Sequence, residues 1–340
     1  MEVKLVESRQ DWKNFLLYQD PNSFLQSWDW GDFNQALGKE VFRLGIYSQK
    51  ELVGICLLIK EKLRFATALY SPRGPVIDWQ KKEVFKAFVK KASELGREEK
   101  VDFVKLEPNL LAGKENEKLF RTFGFKRAIN FIQAETVWVL DLDKTEEEML
   151  YSMRKTTRYL IRDEEKKGVK VEASRNPGEV EEFARLLNQT SFRKGFSNHS
   201  KDYYQKQFEI LAKDDQMLVF KSVKSGHVQA MSIVAYYGEA AYYLHGASRP
   251  GEGSVGYLLQ WEAIKEAKRR GMKYYNFWGV AAENEFKPRH PWYGFTLFKT
   301  GFGGRRVEYL RAQDLPLTPR YTLQRRADHI LSLIKKFRGR

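Results

Sequence analysis

Val41 to Ile59, VFRLGIYSQKELVGICLLI, and Met217 to Tyr237, MLVFKSVKSGHVQAMSIVAYY, read the same way. Each is an apolar, β-branched run, a short polar turn (SQKE in one, KSGH in the other) and a second apolar run, the pattern of a hairpin. The elements after each hairpin repeat as well. Glu83 to Leu95 carries an amphipathic helical pattern stopped by Gly96, with a strand expected over Asp102 to Leu106. Tyr257 to Arg270 carries another, stopped by Gly271, with a strand over Lys273 to Trp278; a further strand, Ala241 to His245, comes after the second hairpin. Apolar residues recur at three and four positions in these helices, as in Leu258, Trp261, Ile264 and Ala267, which buries one face on a sheet. Solenoid repeats have periods of about 20 to 50 residues, so a single duplication spanning half the chain means two copies of one α/β domain. Each copy is expected to be a mixed, mostly antiparallel sheet flanked by helices. The strand Thr136 to Leu140 ends the first copy, and a basic helix over Met149 to Arg162 opens the second. The boundary is expected near Asp143, giving domains 1–143 and 144–318, with a basic helix at 319–340 packing back on the first.

Composition fits two cores: 340 residues, 42% hydrophobic and 14% aromatic, exceed the usual single domain of about 100 to 200 residues. Against 44 Asp and Glu stand 59 Lys and Arg, and the net charge of +15 favours a polyanionic partner: nucleic acid, an anionic membrane surface or a phosphate-rich substrate. The one cysteine, Cys56, lies inside the apolar run Val53 to Ile59, which excludes a disulfide framework and points to a reducing compartment and a buried structural thiol. MEVKLVESRQDW has no basic n-region or apolar h-region, and no run of about 18 apolar residues exists, so the chain reads as cytoplasmic. Five scattered histidines without CxxC or HExxH give a metal site no support, and no cofactor is expected.

His290 to Gly304, HPWYGFTLFKTGFGG, is the stretch that packing alone does not explain. Gly301, Gly303 and Gly304 let the backbone turn tightly or approach another group closely, so Lys299 sits just before a fixed turn. Its ordinary pKa of about 10.4 leaves it protonated at neutral pH, as an electrostatic stabiliser needs. No Ser-His-Asp, Cys-His or paired-carboxylate arrangement emerges from the spacings, so no covalent enzyme intermediate is expected. Asp102, Glu107 and Glu135 are open as proton acceptors.

Hairpin, third strand, helix and strand in this order resemble the GNAT acyltransferase domain, and two of them in tandem resemble the Fem family of aminoacyl-tRNA-dependent peptidoglycan branching enzymes. FLQSWDWGDF (Phe24 to Phe33), MRKTTRYLIRDEEKKGVKV (Met153 to Val171), KGFSNHSKDYY (Lys194 to Tyr204), YLHGAS (Tyr243 to Ser248), YLLQWEAIKEAKRRG (Tyr257 to Gly271) and LFKTGFGG (Leu297 to Gly304) are similar to the family's signatures, in family order. The resemblance implies transfer of an amino acid from an aminoacyl-tRNA ester to the side-chain amine at position three of the stem peptide of a nucleotide-linked or lipid-linked peptidoglycan precursor. Glu179 to Met217 leaves no room for a coiled-coil arm, which is similar to the compact branch of the family.

The resemblance also implies roles. Phe298 and Lys299 match a Phe-Lys pair that holds the aminoacyl end of the tRNA, where one charged donor on the tetrahedral oxyanion contributes roughly 3 to 4 kcal/mol. His199 and Tyr203, four apart and expected to share a helix face, stand where the compact branch binds the precursor's phosphates with an arginine and a tyrosine; Arg193 and Lys194 are alternatives. His245 stands where the family carries an aromatic hydroxyl. Lys39 or Gln35 would meet a diphosphate, and Tyr70 with Arg73 in the SPRGP loop suit uridine and phosphate contacts. Each has a plain structural reading beside it: a helix start with an aromatic anchor, a sheet histidine, a turn lysine. Trp28 and Trp30 are read as core.

Arg154, Lys155, Arg158 and Arg162, with Lys166 and Lys167, suit a tRNA backbone or, with Asp163, Glu164 and Glu165, a solvated ion-paired helix. Arg320, Arg325, Arg326, Lys335, Lys336, Arg338 and Arg340 suit an acceptor stem or an anionic membrane. Two rival readings stand: an acyl-CoA-dependent acyltransferase with Arg249 to Gly256, RPGEGSVG, as its pyrophosphate cradle, and a tRNA-binding module without catalysis. A monomer is expected.

Overall fold

The computed structural model describes residues 1–251 and 254–338, without the side chains of 214 and 335–338. Glu252 and Gly253 of the RPGEGSVG motif, the Lys335, Lys336 and Arg338 side chains, and Arg340 therefore lie outside the described residues. In chain order the first part runs β1 (Glu2–Leu5), α1 (Arg9–Leu17), α2 (Trp28–Ala36), β2 (Val41–Ser48), β3 (Glu51–Lys62), β4 (Thr67–Arg73), β5 (Val76–Ile77), α3 (Lys82–Glu98), β6 (Phe103–Pro108), α4 (Lys114–Thr122) and β7 (Lys126–Arg127). The middle runs β8 (Thr136–Asp141), α5 (Glu146–Ser152), α6 (Lys155–Lys166), β9 (Lys170–Ser174), α7 (Glu179–Lys194), α8 (Lys201–Leu211), β10 (Met217–Lys224), β11 (His227–Tyr237), β12 (Ala240–Ser248), α9 (Val255–Arg269), β13 (Tyr274–Gly279), α10 (Tyr293–Thr300) and β14 (Arg305–Glu308). Then come β15 (Gln313–Pro316) and α11 (Arg320–Arg338).

Both hairpins form where the alternation places them, β2 on β3 and β10 on β11, antiparallel. β4 and β12 extend them antiparallel, and α3 and α9 then cross over to β6 and β13, which pair parallel with β4 and β12. The first sheet has the order β1-β2-β3-β4-β6-β15-β7 with β5 on β3; the second is β14-β8-β13-β12-β11-β10-β9. A parallel neighbour cannot be reached by a tight turn, so each copy needs its crossover helix. These helices bury what the spacing predicts: Val84, Phe85 and Phe88 on the first sheet, and Leu258, Trp261, Ile264 and Ala267 on the second. Cys56 is buried beside Ser71 and its thiol is pushed up to about 12 by that burial, as suits a structural residue.

Four expectations are corrected. The chain divides into Met1–Glu135 with Glu308–Arg340, and Thr136–Val307, rather than at 143 and 318. β8, expected in the first domain, registers Leu140 on Tyr275 and Val139 on Asn276, while β15 registers Leu315 on Val104. Alternation shows that a strand forms, but not which sheet edge it joins. Gly96 does not stop α3; it lies inside the helix, where a Cβ would overlap Leu317. Lastly, the basic helix is two helices: a Thr145/Glu148 capping box opens α5, extended Met153 ends it, and α6 starts after Arg154, whose side chain makes no capping bond.

α11 is held to the first sheet by Tyr321, whose ring lies 5.2 Å from Phe103 and whose hydroxyl donates to Asp314. In the second unit, Gly304 has φ +93° and a Cβ there would overlap the Val139 carbonyl of β8. Gly304→Ala is therefore expected to lose about 2 kcal/mol or more, seen as a lowered Tm, against about 1 for Gly226→Ala, whose φ is also positive (+76°) but whose surroundings are open. Equal losses would contradict the close approach.

Candidate active site

β12 and β13 pair only through Ala240 with Tyr274, Ala241 with Tyr275 and Tyr242 with Asn276; β12 then runs on to Ser248 beside β11, and β13 to Gly279 beside β8, without pairing with each other. The sheet forks here. On β12 one residue is extra: Val234 faces Tyr243, Ile233 faces His245, and Leu244 has no partner on β11. Without this bulge, period-two alternation would put Tyr243 and His245 on one face; with it they point to opposite faces. On β13 the register shifts between Asn276 and Gly279, Trp278 takes φ +65°, and the Asn276 side chain accepts from the Trp278 N–H at 2.8 Å.

Lys299 enters the fork from α10. It is buried, its Nζ donates to the Gly279 carbonyl at 2.8 Å, and the Tyr243 and Phe295 rings lie 5.8 and 5.0 Å from it. Among the described residues no carboxylate pairs with it, so burial pushes its pKa down from 10.5 to about 7. That corrects the ordinary value assumed from sequence. The turn is corrected too: Lys299 is in the last turn of α10, Gly301 continues the helical conformation, and Gly303 and Gly304 make the positive-φ turn. At Gly301 a Cβ would overlap Thr157 Oγ1, and the Gly301 carbonyl accepts from the Arg154 N–H at 2.9 Å, so the glycines fit this turn against α6 and β8. Phe298 packs on Tyr257 at the start of α9 (4.8 Å between ring centroids) and on Phe302 (5.3 Å).

A second cluster sits on the α7 and α8 side of β12. His245 Nε2 meets Gln207 Oε1 at 3.0 Å, and its ring stands edge-on to Tyr204 at 5.0 Å and near Phe183 at 6.2 Å. His199 is not on α8, as the four-residue spacing suggested, but precedes its Ser200 cap; its ring nevertheless stacks on Tyr203 at 3.8 Å and 11°. His199, Tyr203 and His245 thus come together through Tyr204, which is buried, accepts from the His199 N–H, and carries no signal in the sequence. Burial and the nearby His199 charge push the pKa of His245 down to about 3.

In the first unit the candidates are largely committed to structure. Tyr70 is buried and donates to Glu107 Oε2 at 2.5 Å; Glu107 also accepts from the Ile132 and Gln133 N–H groups. Arg73 is buried, donates to the Ala134 carbonyl at 2.6 Å and lies 4.1 Å over Tyr309. The residues Tyr70 to Arg73, expected from sequence in a loop at a strand end, are in fact the buried end of β4. Lys39 pairs with Glu61 at 2.5 Å. Asp102 accepts from the Thr67 N–H and the Thr318 hydroxyl, and burial raises the pKa of Glu135. In the second unit Arg154 donates to Leu297 O and Thr300 Oγ1, and Arg158 to Tyr151 O and Met153 O, whereas Lys155 and Arg162 are exposed. Lys167 pairs with Asp163 and Glu164 within the helix. Arg249 of RPGEGSVG donates to the Val228 carbonyl, and Ser254 to Glu164.

The FemAB family model matches residues 8–229 and 221–329. The chain belongs to the FemAB family. Similar relatives include a lipid II:glycine glycyltransferase of Staphylococcus epidermidis, 23% identical over 98% of this chain and 95% of that one. A second, from Staphylococcus aureus, is 26% identical over 64% of this chain and 54% of that one. Among solved structures, FemX superposes with a TM-score of 0.85 at 21% identity, covering 95% of this chain and 99% of that one. A tandem GNAT protein from the clavulanic acid pathway superposes at 0.57 with 12% identity, covering 94% and 99%. The fold of this FemAB member is that of two GNAT-like domains in tandem.

Two measurements check the electrostatics. Between about pH 7 and 10.5 the unfolded chain still carries a proton on Lys299 that the folded chain has released, so stability due to this group rises with pH across that window. Lys299→Met is therefore expected to be more stable than the parent by about 2 kcal/mol below pH 7, allowing for the unpaired Gly279 carbonyl, with the margin closing toward pH 10 in urea titrations. A margin that does not change with pH would contradict the burial. The His245 imidazole, assigned by comparison with His245→Gln in nitrogen NMR, is expected to stay neutral from about pH 5 to 8; a midpoint inside that range would contradict its placement.

Proposed function

We propose that this chain transfers an aminoacyl group from the ester of an aminoacyl-tRNA to a stem-peptide side-chain amine of a peptidoglycan precursor, building an interpeptide bridge. Family membership and relatives named lipid II:glycine glycyltransferase support a peptidoglycan acceptor, with the lipid-linked form favoured over the nucleotide-linked one. The observation that carries the chemistry is Lys299 in the fork. In the reaction the amine nitrogen forms a bond to the ester carbonyl carbon and the carbonyl oxygen becomes an oxyanion; its collapse to the amide carbonyl breaks the carbon–oxygen bond to the tRNA ribose, and the proton that the nitrogen gives up ends on that ribose oxygen. An ammonium has three donors and Gly279 uses one, so two remain for the oxyanion. The low dielectric that depresses the pKa of Lys299 also strengthens its attraction for that charge. A bound polyanion favours the ammonium again, so the charge is supplied when the tRNA is present.

Phe298 beside Lys299 offers an aromatic face for the aminoacyl end. Lys155, Arg162 and Lys166 are exposed α6 cations that could meet phosphates, with Arg154 and Arg158 holding the helix to its neighbours. The second-unit cluster of His199, Tyr203 and His245 is the place for precursor contacts; neutral His245 would serve there as a hydrogen-bonding group and not as a cation. Among the described residues no helix is long and apolar enough to cross a membrane, and charged tRNA places the reaction on the cytoplasmic side.

The test is mass spectrometry of lipid-linked and nucleotide-linked pentapeptide precursors incubated with the enzyme and a charged tRNA pool, beside a tube holding acetyl-CoA. A gain of one amino-acid residue, abolished by RNase and reduced about 10² to 10³-fold in Lys299→Ala, is expected. An acetyl increment would replace this reading with the CoA-dependent one. In the same assay kcat/KM is expected to fall above about pH 7 as Lys299 loses its proton, and Lys299→Arg, whose guanidinium stays charged, is expected to lack that fall.

A further inference from the structure

α11 docks with its polar side. Tyr321 and Gln324 are buried; Gln324 Oε1 accepts from the Phe65 N–H at 3.0 Å, its Nε2 donates to Asp328 at 2.8 Å, and Arg325 donates to the Arg127 carbonyl at 2.7 Å. With about 3.6 residues per turn, Leu323, Ile330 and Ile334 fall on the opposite side, with Leu331 and Leu333 at its edges. These aliphatic side chains are exposed, Leu323 by 56% and Ile330 by 57%. An ordinary surface helix does the reverse.

Cations flank the outward stripe. Arg320 and Arg326 are exposed on either side of it, and the helix continues through Lys335, Lys336 and Arg338 in sequence. Its one acidic residue, Asp328, is on the docked side and bonded to Gln324. The turn between β3 and β4, which Gln324 ties to the helix, repeats the composition: Lys62, Leu63, Arg64 and Phe65 are exposed, Phe65 by 48%, with the Arg64 guanidinium 5.2 Å from the Phe65 ring.

We propose that the outward face of α11, with the Leu63–Phe65 turn beside it, seats this chain on an anionic phospholipid bilayer. Aliphatic residues enter the boundary between headgroups and acyl chains, and flanking arginines stay with the phosphates. A nucleic acid would engage the cations and leave the aliphatic stripe in water. A second copy would set two such cationic flanks, each on a chain of net charge +15, against each other. This surface stands apart from the transfer reading, since vesicle binding needs neither charged tRNA nor acceptor.

The experiment is flotation of the full chain with phosphatidylcholine vesicles, with and without phosphatidylglycerol, beside sedimentation of the chain alone. The chain is expected to float with the phosphatidylglycerol vesicles only. Ile330→Gln/Ile334→Gln is expected to bind them at least about tenfold more weakly, and Arg326→Glu to weaken binding and its salt dependence, with unchanged circular dichroism melts. Failure of the parent chain to float, undiminished flotation of the double variant, or conversion of a parent dimer to monomer by that variant would overturn the proposal. Loss of tRNA affinity in the double variant equal to its loss of vesicle binding would overturn it as well.

Discussion

Parallel pairing between β12 and β13 stops after Tyr242 and Asn276, and a buried lysine bonded to Gly279 fills the space that opens. The candidate site of the second unit is organised around that side chain, at a cost to stability. The Leu244 bulge turns Tyr243 toward Lys299 and His245 away from it, so one extra residue separates the buried lysine and its aromatic neighbours from a histidine and tyrosine cluster on the other face. α10 needs the glycine turn after it because α6 and β8 lie too close for any side chain. Burial makes the lysine's proton conditional on what else is bound, which a surface lysine before a turn would not be.

Local periodicity carried most of the fold in the sequence. Both hairpins, the buried face of α9 and the stop at Gly271 form where spacing puts them, because alternation and helical periodicity are properties of neighbouring residues. The choice of sheet edge is not. β8 reads as an ordinary strand and β15 does not read as one, and the partners they find, β13 and β6, move the boundaries from Asp143 and 318 to Glu135 and Glu308. Gly96 misled for a related reason: its constraint comes from Leu317, far along the chain, and not from its own backbone.

The site was legible as residue types more than as geometry. Lys299 and Phe298 stood out by their glycines, yet YYLHGAS shows no sign of the bulge that divides Tyr243 from His245. Tyr204 and Gln207, which tie the histidine cluster together, look like any helix-face residues. Tyr70 and Arg73 drew notice as polar groups at a strand end and Glu107 as a proton acceptor; Tyr70 and Glu107 satisfy each other, and Arg73 and Glu107 nearby backbone. A polar residue in an apolar stretch signals that a partner exists, but not whether that partner is a ligand or the protein itself.

The first unit is discontinuous in sequence. β6 waits for β15, and Phe103 for Tyr321, until the whole of Thr136–Val307 has been made. On the ribosome the inserted unit, contiguous and complete, can reach its native pairing while the first sheet still shows an open edge beside β6. Order of synthesis and order of folding are thereby reversed: the amino-terminal unit is the last to close.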